Sequence, residues 1–186
     1  MFTILLDKVG KVVVGALVDD RGRVWSTTMT EKGRKEASDS LLRSLPIGAY
    51  FREERNEMNE KILDSLKRAV MGREFVNEYE LVMDRIPSFH RKVYETLRKI
   101  PRGRVISYGE LARASGSEGA ARAVGNAMRD NPFPLIVPCH RVIKSNLELG
   151  GFGGGEDLKK RILASEGIVF KERMADKASL IKHGEV

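Results

Sequence analysis

One cysteine stands in this chain of 186 residues, in the run Pro138-Cys139-His140-Arg141-Val142. A lone cysteine has no intramolecular disulfide partner, and one thiol falls far short of a metal cage. Packing or nucleophilic chemistry remains. A thiol is mostly protonated at neutral pH and needs a base or a positive environment to become a nucleophile. His140 is the adjacent base. On an extended strand the two side chains would point to opposite faces. A turn at Pro138 would let the imidazole reach the thiol directly or through a water. The competing reading is a small buried hydrophobe beside a surface base.

A third group extends the pattern. Glu156 to Gly167 reads as a helix with acids in its first turn and glycine after its end. Leu158, Ile162 and Glu166 lie on one stripe of it. A carboxylate on a buried stripe needs a partner, and His140 would serve, giving a Cys-His-Glu arrangement. Otherwise Glu166 frays into water at the helix end. Between the two segments runs Gly150-Gly151-Phe152-Gly153-Gly154-Gly155, a loop whose amides are open to a ligand. No Lys-Ser/Thr pair follows, so it is not a P-loop, and the dinucleotide fingerprint is lacking too. Phe152 can stack on a flat ring or anchor the loop.

The elements that must hold these residues are legible in outline. Ser107-Tyr108-Gly109-Glu110 is a capping box opening a short helix through Leu111 and Ala112. Gly116 ends it, and Ser117 is expected to cap a second helix running to about Met128. Two capped helices across a glycine-containing turn make a helix-turn-helix pattern. In the second helix Ala120, Val124 and Ala127 form an inward stripe, while Ala121, Arg122 and Gly125 form another. A helix face with short side chains permits close approach, either to a neighbouring helix or to nucleic acid. Arg122 and Arg129 favour the latter. Upstream, Ser88 is expected to cap a helix bearing Val93, Leu97 and Ile100. Asn131-Pro132-Phe133-Pro134 is rigid and non-helical, and Leu135 to Val137 is buried.

The first part of the chain reads as an α/β domain over residues 1–83. Val12 to Val18 and Val24 to Thr27 form a hairpin about Asp19-Asp20-Arg21-Gly22. Helices are expected over Thr30–Leu45 and over Glu53–Val70, the latter with Met58, Ile62, Leu66, Ala69 and Val70 on its apolar face. Tyr79–Met83 is a further candidate strand. The second domain spans 84–171, and 172–186 is a tail, helical or disordered. Lys and Arg total 33 against 26 Asp and Glu, a net charge of +7 that suits a polyanionic partner. Charged residues at 32% and hydrophobics at 41% exclude a disordered chain. No apolar run could span a bilayer, and Asp7 and Lys8 break the pattern of a signal peptide. A single unpaired thiol fits a reducing, cytoplasmic compartment.

From about Ile100 to Gly167 the chain resembles the O6-alkylguanine-DNA alkyltransferases. Ile106-Ser107-Tyr108, Ala120-Ala121-Arg122-Ala123-Val124-Gly125, Asn131-Pro132, Pro138-Cys139-His140-Arg141-Val142 and the glycines about Gly154 stand in that family's order and spacing. The resemblance implies a ribonuclease-H-like N-terminal domain and a mainly α C-terminal domain with a helix-turn-helix, winged-helix-like. It implies direct reversal of DNA damage on double-stranded DNA containing O6-alkylguanine, bound through the minor groove, with no cofactor, no metal and no membrane, by a monomer. Ala121, Gly125 and Arg129 would meet the DNA, and Arg122 would fill the gap left by a flipped nucleotide. Tyr108 would rotate that nucleotide and protonate guanine N3. Backbone carbonyls of Cys139 and Val142 would accept from the guanine amino group. Asn131 would brace the turn after the recognition helix, with Met128, Pro134, Phe152 and Gly153 lining the pocket. Gly153 and Phe152 depart from a serine and a tyrosine common in the family. A non-catalytic damage sensor lacks the cysteine, a simple DNA-binding regulator needs no Cys-His-Glu set, and a cysteine hydrolase leaves the basic surface unexplained.

Overall fold

The computed structural model describes residues 1–186, which divide into two compact units: Met1–Arg85 with Pro132–Ile136, and Ile86–Asn131 with Val137–Val186.

The first unit is a four-stranded mixed sheet with two helices. Strands β1 (Phe2–Val9), β2 (Val12–Asp19), β3 (Val24–Thr30) and β4 (Phe51–Arg52) lie in the order β3-β2-β1-β4. β1 and β2 pair antiparallel from Phe2↔Asp19 to Val9↔Val12, and β4 joins β1 in parallel. β2 is buried at all eight positions, as a central strand covered on both faces must be. Helix α1 (Arg34–Leu42) sets Ala37 and Leu41 on Ile4, Leu6, Val13 and Leu17. Helix α2 (Glu57–Val70), capped by the Asn56 side chain, packs Ile62, Leu63, Leu66 and Ala69 into the interior. Gly15 has no room for a side chain: a Cβ there would lie 2.4 Å from the Leu5 carbonyl and 3.2 Å from Leu41 Cδ1. The segment 132–136 docks on β3, with Thr27 N–H donating to the Pro132 carbonyl (2.8 Å) and Thr27 Oγ1 to that of Pro134 (2.6 Å).

Several local expectations change here. β1 was not foreseen as a strand. α1 starts at Arg34 rather than Thr30, because Val24–Thr30 is drawn into the sheet by β2. Met58 is 55% exposed and lies over Gly22 rather than on the buried face of α2. Tyr79–Met83 forms no strand: only a single parallel bridge joins Leu81 to Val24.

The second unit is mainly helical about a small parallel sheet. Helix α3 (Ser88–Leu97) leads to β5 (Val105–Ser107), helix α4 (Tyr108–Ala114) and helix α5 (Ala121–Arg129). A 3₁₀ turn over Cys139–Arg141 runs into β6 (Val142–Ile143), and helix α6 (Glu156–Ser165) follows the glycine loop. Beyond it β7 (Phe170–Lys171) and β8 (Met174–Ala175) form a hairpin, and β9 (Leu180–Ile181) returns to the sheet, ordered β6-β5-β9. Residues 172–186 are therefore built into this unit rather than trailing from it. Ser107 caps α4 through its side chain, as the capping box requires. Two caps fall elsewhere. Pro87, not Ser88, precedes α3, and α5 starts after Ala120, with Ser117 in the preceding turn accepting the Ala120 N–H.

Candidate functional site

The cysteine segment does not run as a strand. Pro138 carries ψ 66°, and Cys139, His140 and Arg141 form a single 3₁₀ turn closed by Arg141 N–H to the Pro138 carbonyl (2.8 Å). Successive side chains on such a turn are about a third of a revolution apart rather than opposed. Cys139 is a free thiol with 8% of its surface exposed, and His140 is 1% exposed.

His140 Nε2 lies 2.9 Å from Glu166 Oε1, both groups buried. Glu166 sits at the C-cap of α6, held toward the interior by the Leu158 and Ile162 stripe of the same helix. The contact to Nε2 leaves Nδ1 as the ring atom with no hydrogen-bond partner. An ionised carboxylate accepts only, so Nε2 carries the proton and Nδ1 bears the lone pair. Arg141 grips the same carboxylate as a fork, Nε donating to Oε2 (3.0 Å) and Nη2 to Oε1 (2.8 Å), while Nη1 donates to the Ile100 carbonyl (2.7 Å).

The charge states follow from these contacts. Burial alone would raise the Glu166 pKa, but the His140 and Arg141 bonds and charges outweigh it and bring it down to about 2. Burial pushes His140 below its ordinary value, and the Glu166 carboxylate only partly offsets that. Burial also raises the Cys139 thiol, against the Asn131 side-chain hydrogen bond and the Lys159 charge. The resting site is thus a neutral thiol, a neutral imidazole and a permanent carboxylate–guanidinium pair. That is a base with its lone pair ready, backed by a fixed negative charge that stabilises the imidazolium once formed.

Two residues of this network escaped the sequence reading. Arg141 carried no local signal beyond its neighbourhood. Lys159 is wholly buried, and its Nζ donates to the carbonyls of Val142 (2.6 Å) and Leu149 (2.5 Å), tying the strand after the cysteine to the start of the glycine loop. Burial brings its pKa down to about 8. Its position three and four residues before Ile162 and Leu163 is the signal that would have found it.

The remaining residues fall as follows. Tyr108 opens α4, half-buried, its pKa raised by burial and by the nearby Cys139 charge. The glycine loop reaches its ring: a Cβ on Gly150, whose φ is 71°, would lie 3.1 Å from Tyr108 Oη. Asn131 donates from Nδ2 to the Val137 carbonyl (3.0 Å), and its side chain also bonds the Cys139 thiol. On α5, Val124 and Ala127 are buried, Ala121, Gly125 and Met128 are half-buried, and Arg122 is exposed with no ion pair. Arg129 is exposed and paired with Asp130 (3.1 Å). Tyr94 on α3 donates from its buried hydroxyl to the Ala127 carbonyl (2.8 Å), securing the last turn of that helix. Val142 is fully buried, Phe152 half-buried, and Gly153 exposed over open space. Pro134 groups with the first unit, where Thr27 holds it. No group of three or more His, Cys, Asp or Glu side chains is placed to hold a metal ion. No helix is long and apolar enough to cross a membrane.

Residues 88–168 match the family model of the 6-O-methylguanine DNA methyltransferase DNA-binding domain. A methylated-DNA–protein-cysteine methyltransferase of Mycolicibacterium paratuberculosis is 47% identical over 92 residues, 49% of this chain and 56% of that protein. The enzyme of the same name from Methanothermobacter thermautotrophicus is 40% identical over 111 residues, 58% of this chain and 61% of that one. These matches span little more than half the length of the curated relatives. Solved structures extend further. An O6-methylguanine-DNA methyltransferase from the hyperthermophilic archaeon Pyrococcus kodakaraensis superposes with a TM-score of 0.66 at 30% identity, covering 90% of this chain and 100% of that one. Mycobacterium tuberculosis OGT in complex with DNA gives 0.67 at 29% identity, covering 89% and 91%.

Proposed function

Because this chain belongs to the O6-methylguanine-DNA methyltransferase family, we propose that it repairs DNA by moving an alkyl group from O6 of guanine to Cys139, once per molecule. The observation that carries this reading is the buried 3₁₀ turn, which holds the only thiol next in sequence to an imidazole whose Nε2 is fixed on Glu166 and whose Nδ1 is left without a protein partner.

The chemistry is a single displacement. His140 Nδ1, which has no direct partner in the protein, takes the thiol proton through a water, and Glu166 stabilises the imidazolium. The thiolate sulfur attacks the alkyl carbon in line, the S–C bond forms, and the C–O6 bond breaks with its electron pair going to the purine. Tyr108 hands a proton to guanine N3, and the proton on His140 makes good that loss. The balance is one thiol and one O6-alkylguanine giving one thioether and one guanine. A thioether offers no low-barrier return, so the protein is consumed.

The partner is duplex DNA, entered from the minor groove. That groove is narrow, and the short side chains of Ala121 and Gly125 let α5 approach its floor. Arg122, exposed and unpaired, takes the space of the extruded nucleotide, and Arg129 meets the backbone. Met128, Val142, Phe152 and Gly153 line the purine pocket, and Asn131 braces the turn beside the thiol. The first unit is ribonuclease-H-like, a reading supported by its mixed sheet flanked by helices. The second is winged-helix-like, with α4 and α5 as the helix-turn-helix and the β7–β8 hairpin as the wing. Every group the reaction needs comes from one chain, which supports a monomer. The unpaired thiol supports a cytoplasmic location.

The test is intact-protein mass after incubation with duplex DNA carrying O6-methylguanine. A gain of one methyl mapped to Cys139, absent in Cys139→Ala although that variant still binds the DNA, is the expected result. Wild-type protein that binds and stays unmodified would overturn it in favour of a damage sensor.

A further inference from the structure

The last ten residues reach the segment that delivers Tyr108. β9 pairs in parallel with β5, Val105 opposite Leu180 and Ile106 opposite Ile181. β5 ends at Ser107, the cap of α4, and the next residue is Tyr108. The pairing is backed by burial: Ile181 is 4% exposed, and Leu180 packs against the cluster of Val105, Ile143 and Leu149. A second attachment lies one turn into α4. In a capping box, the Glu110 carboxylate would fold back on the backbone of Ser107. Here its Oε2 accepts from the His183 backbone N–H (3.0 Å) and lies 3.2 Å from His183 Nδ1, while Oε1 takes Arg113 Nη1 (2.8 Å). The turn that presents His183 is closed on itself by Lys182 N–H to Glu185 Oε2 (2.7 Å). Tyr108 thus has the glycine loop against its ring and the chain's own C-terminal segment against its backbone on both sides. The family model matched by this chain ends at residue 168, before any of these residues.

We propose that residues 177–186 are a buttress that positions Tyr108 for nucleotide rotation. The inference rests on the reading of Tyr108 given above. The buttress acts through β5 and Glu110 and touches no reacting atom; displacing Tyr108 impairs nucleotide rotation on a duplex in addition to the N3 protonation that duplex and free base share. A misplacement of about 1 Å is enough to slow such a step severely.

The test compares the full chain with a form ending at Asp176, which keeps the β7–β8 hairpin, and with His183→Ala, which removes one contact and leaves the backbone intact. Each is measured for single-turnover transfer from duplex O6-methylguanine, for reaction with free O6-benzylguanine, and for the fluorescence of 2-aminopurine placed at the flipping position. The truncation is expected to slow the duplex reaction about tenfold and weaken the flipping signal, with a clearly smaller loss on the free base, which needs Tyr108 only as the N3 proton donor. His183→Ala is expected to shift the same ratio in the same direction by a smaller factor, and it decides the matter if the truncated chain fails to fold. Equal losses on both substrates, or unchanged flipping in a folded variant, would overturn the buttress. Tyr108→Phe is the control: an unimpaired duplex rate there would overturn the role of Tyr108 itself, and the buttress with it.

Discussion

Replacing Glu166 by Gln removes one charge from a buried set and tests the whole electrostatic account. In the folded protein the carboxyl is brought from an ordinary 4.5 down to about 2. At about 1.4 kcal/mol per unit, ionised Glu166 contributes roughly 3 kcal/mol to stability. The sign follows from the lowered folded value. The contribution is complete above pH 4.5 and is lost as the pH falls from there through about 2, where the unfolded chain binds the proton first. Glutamine has nothing to titrate in that window, and it leaves Arg141, whose side chain is 12% exposed, without a counter-charge. Breaking one side of a buried pair costs about 3–5 kcal/mol. Urea unfolding across pH 2–7 is the assay. Glu166→Gln should be less stable at neutral pH by about that amount, and its stability should fall less steeply below pH 4.5 than that of the wild type. Single-turnover transfer should drop by about 10²–10⁴, the usual worth of a positioned base. A variant with wild-type acid sensitivity and wild-type rate would refute both the charge assignment and the role of His140.

Two further outcomes are expected. Arg122→Ala leaves the cost of base flipping, a few kcal/mol, uncompensated, so transfer from duplex DNA should slow roughly ten- to a hundredfold while free O6-benzylguanine reacts as before; equal losses on both would exclude a flipping role. Lys159→Met tests the buried ammonium. Its pKa is about 8 in the folded chain against an ordinary 10.5, so between those values the unfolded chain holds more protons and stability rises with pH. The wild type should gain roughly 3 kcal/mol across that window relative to the variant, measured as the difference between their denaturation profiles; identical profiles would show that Lys159 does not titrate there.

The helices that carry the chemistry were legible because their signals are local. A capping hydroxyl three residues before an acid, a stripe of small residues and a glycine stop are all set within one or two turns of chain. The same locality explains the errors. Ser88 and Ser117 are good caps by type, but Pro87 and Ala120 hold those positions once the turns are closed. Phe2-Thr3-Ile4-Leu5-Leu6 lacks strict alternation because β1 is buried on both faces over Thr3 to Leu6. Thr28 to Thr30 is as able to start a helix as to end a strand, and only the β2 partners decide.

By itself, the order of residues determined which atoms are able to react: a single sulfur, an adjacent imidazole, a carboxylate on an apolar stripe and a helix bare enough to enter a groove. Those are properties of covalent identity and short spacing. The tertiary structure alone decided their charges. Glu166 is acidic because an imidazole and a guanidinium, 26 and 25 residues away in sequence, bond to it, Lys159 holds its proton less tightly because burial takes it out of solvent, and the strand that leads into Tyr108 pairs with Leu180 and Ile181. Proton affinity depends on the field and the solvent at a point in space, and neither exists until distant parts of the chain have met.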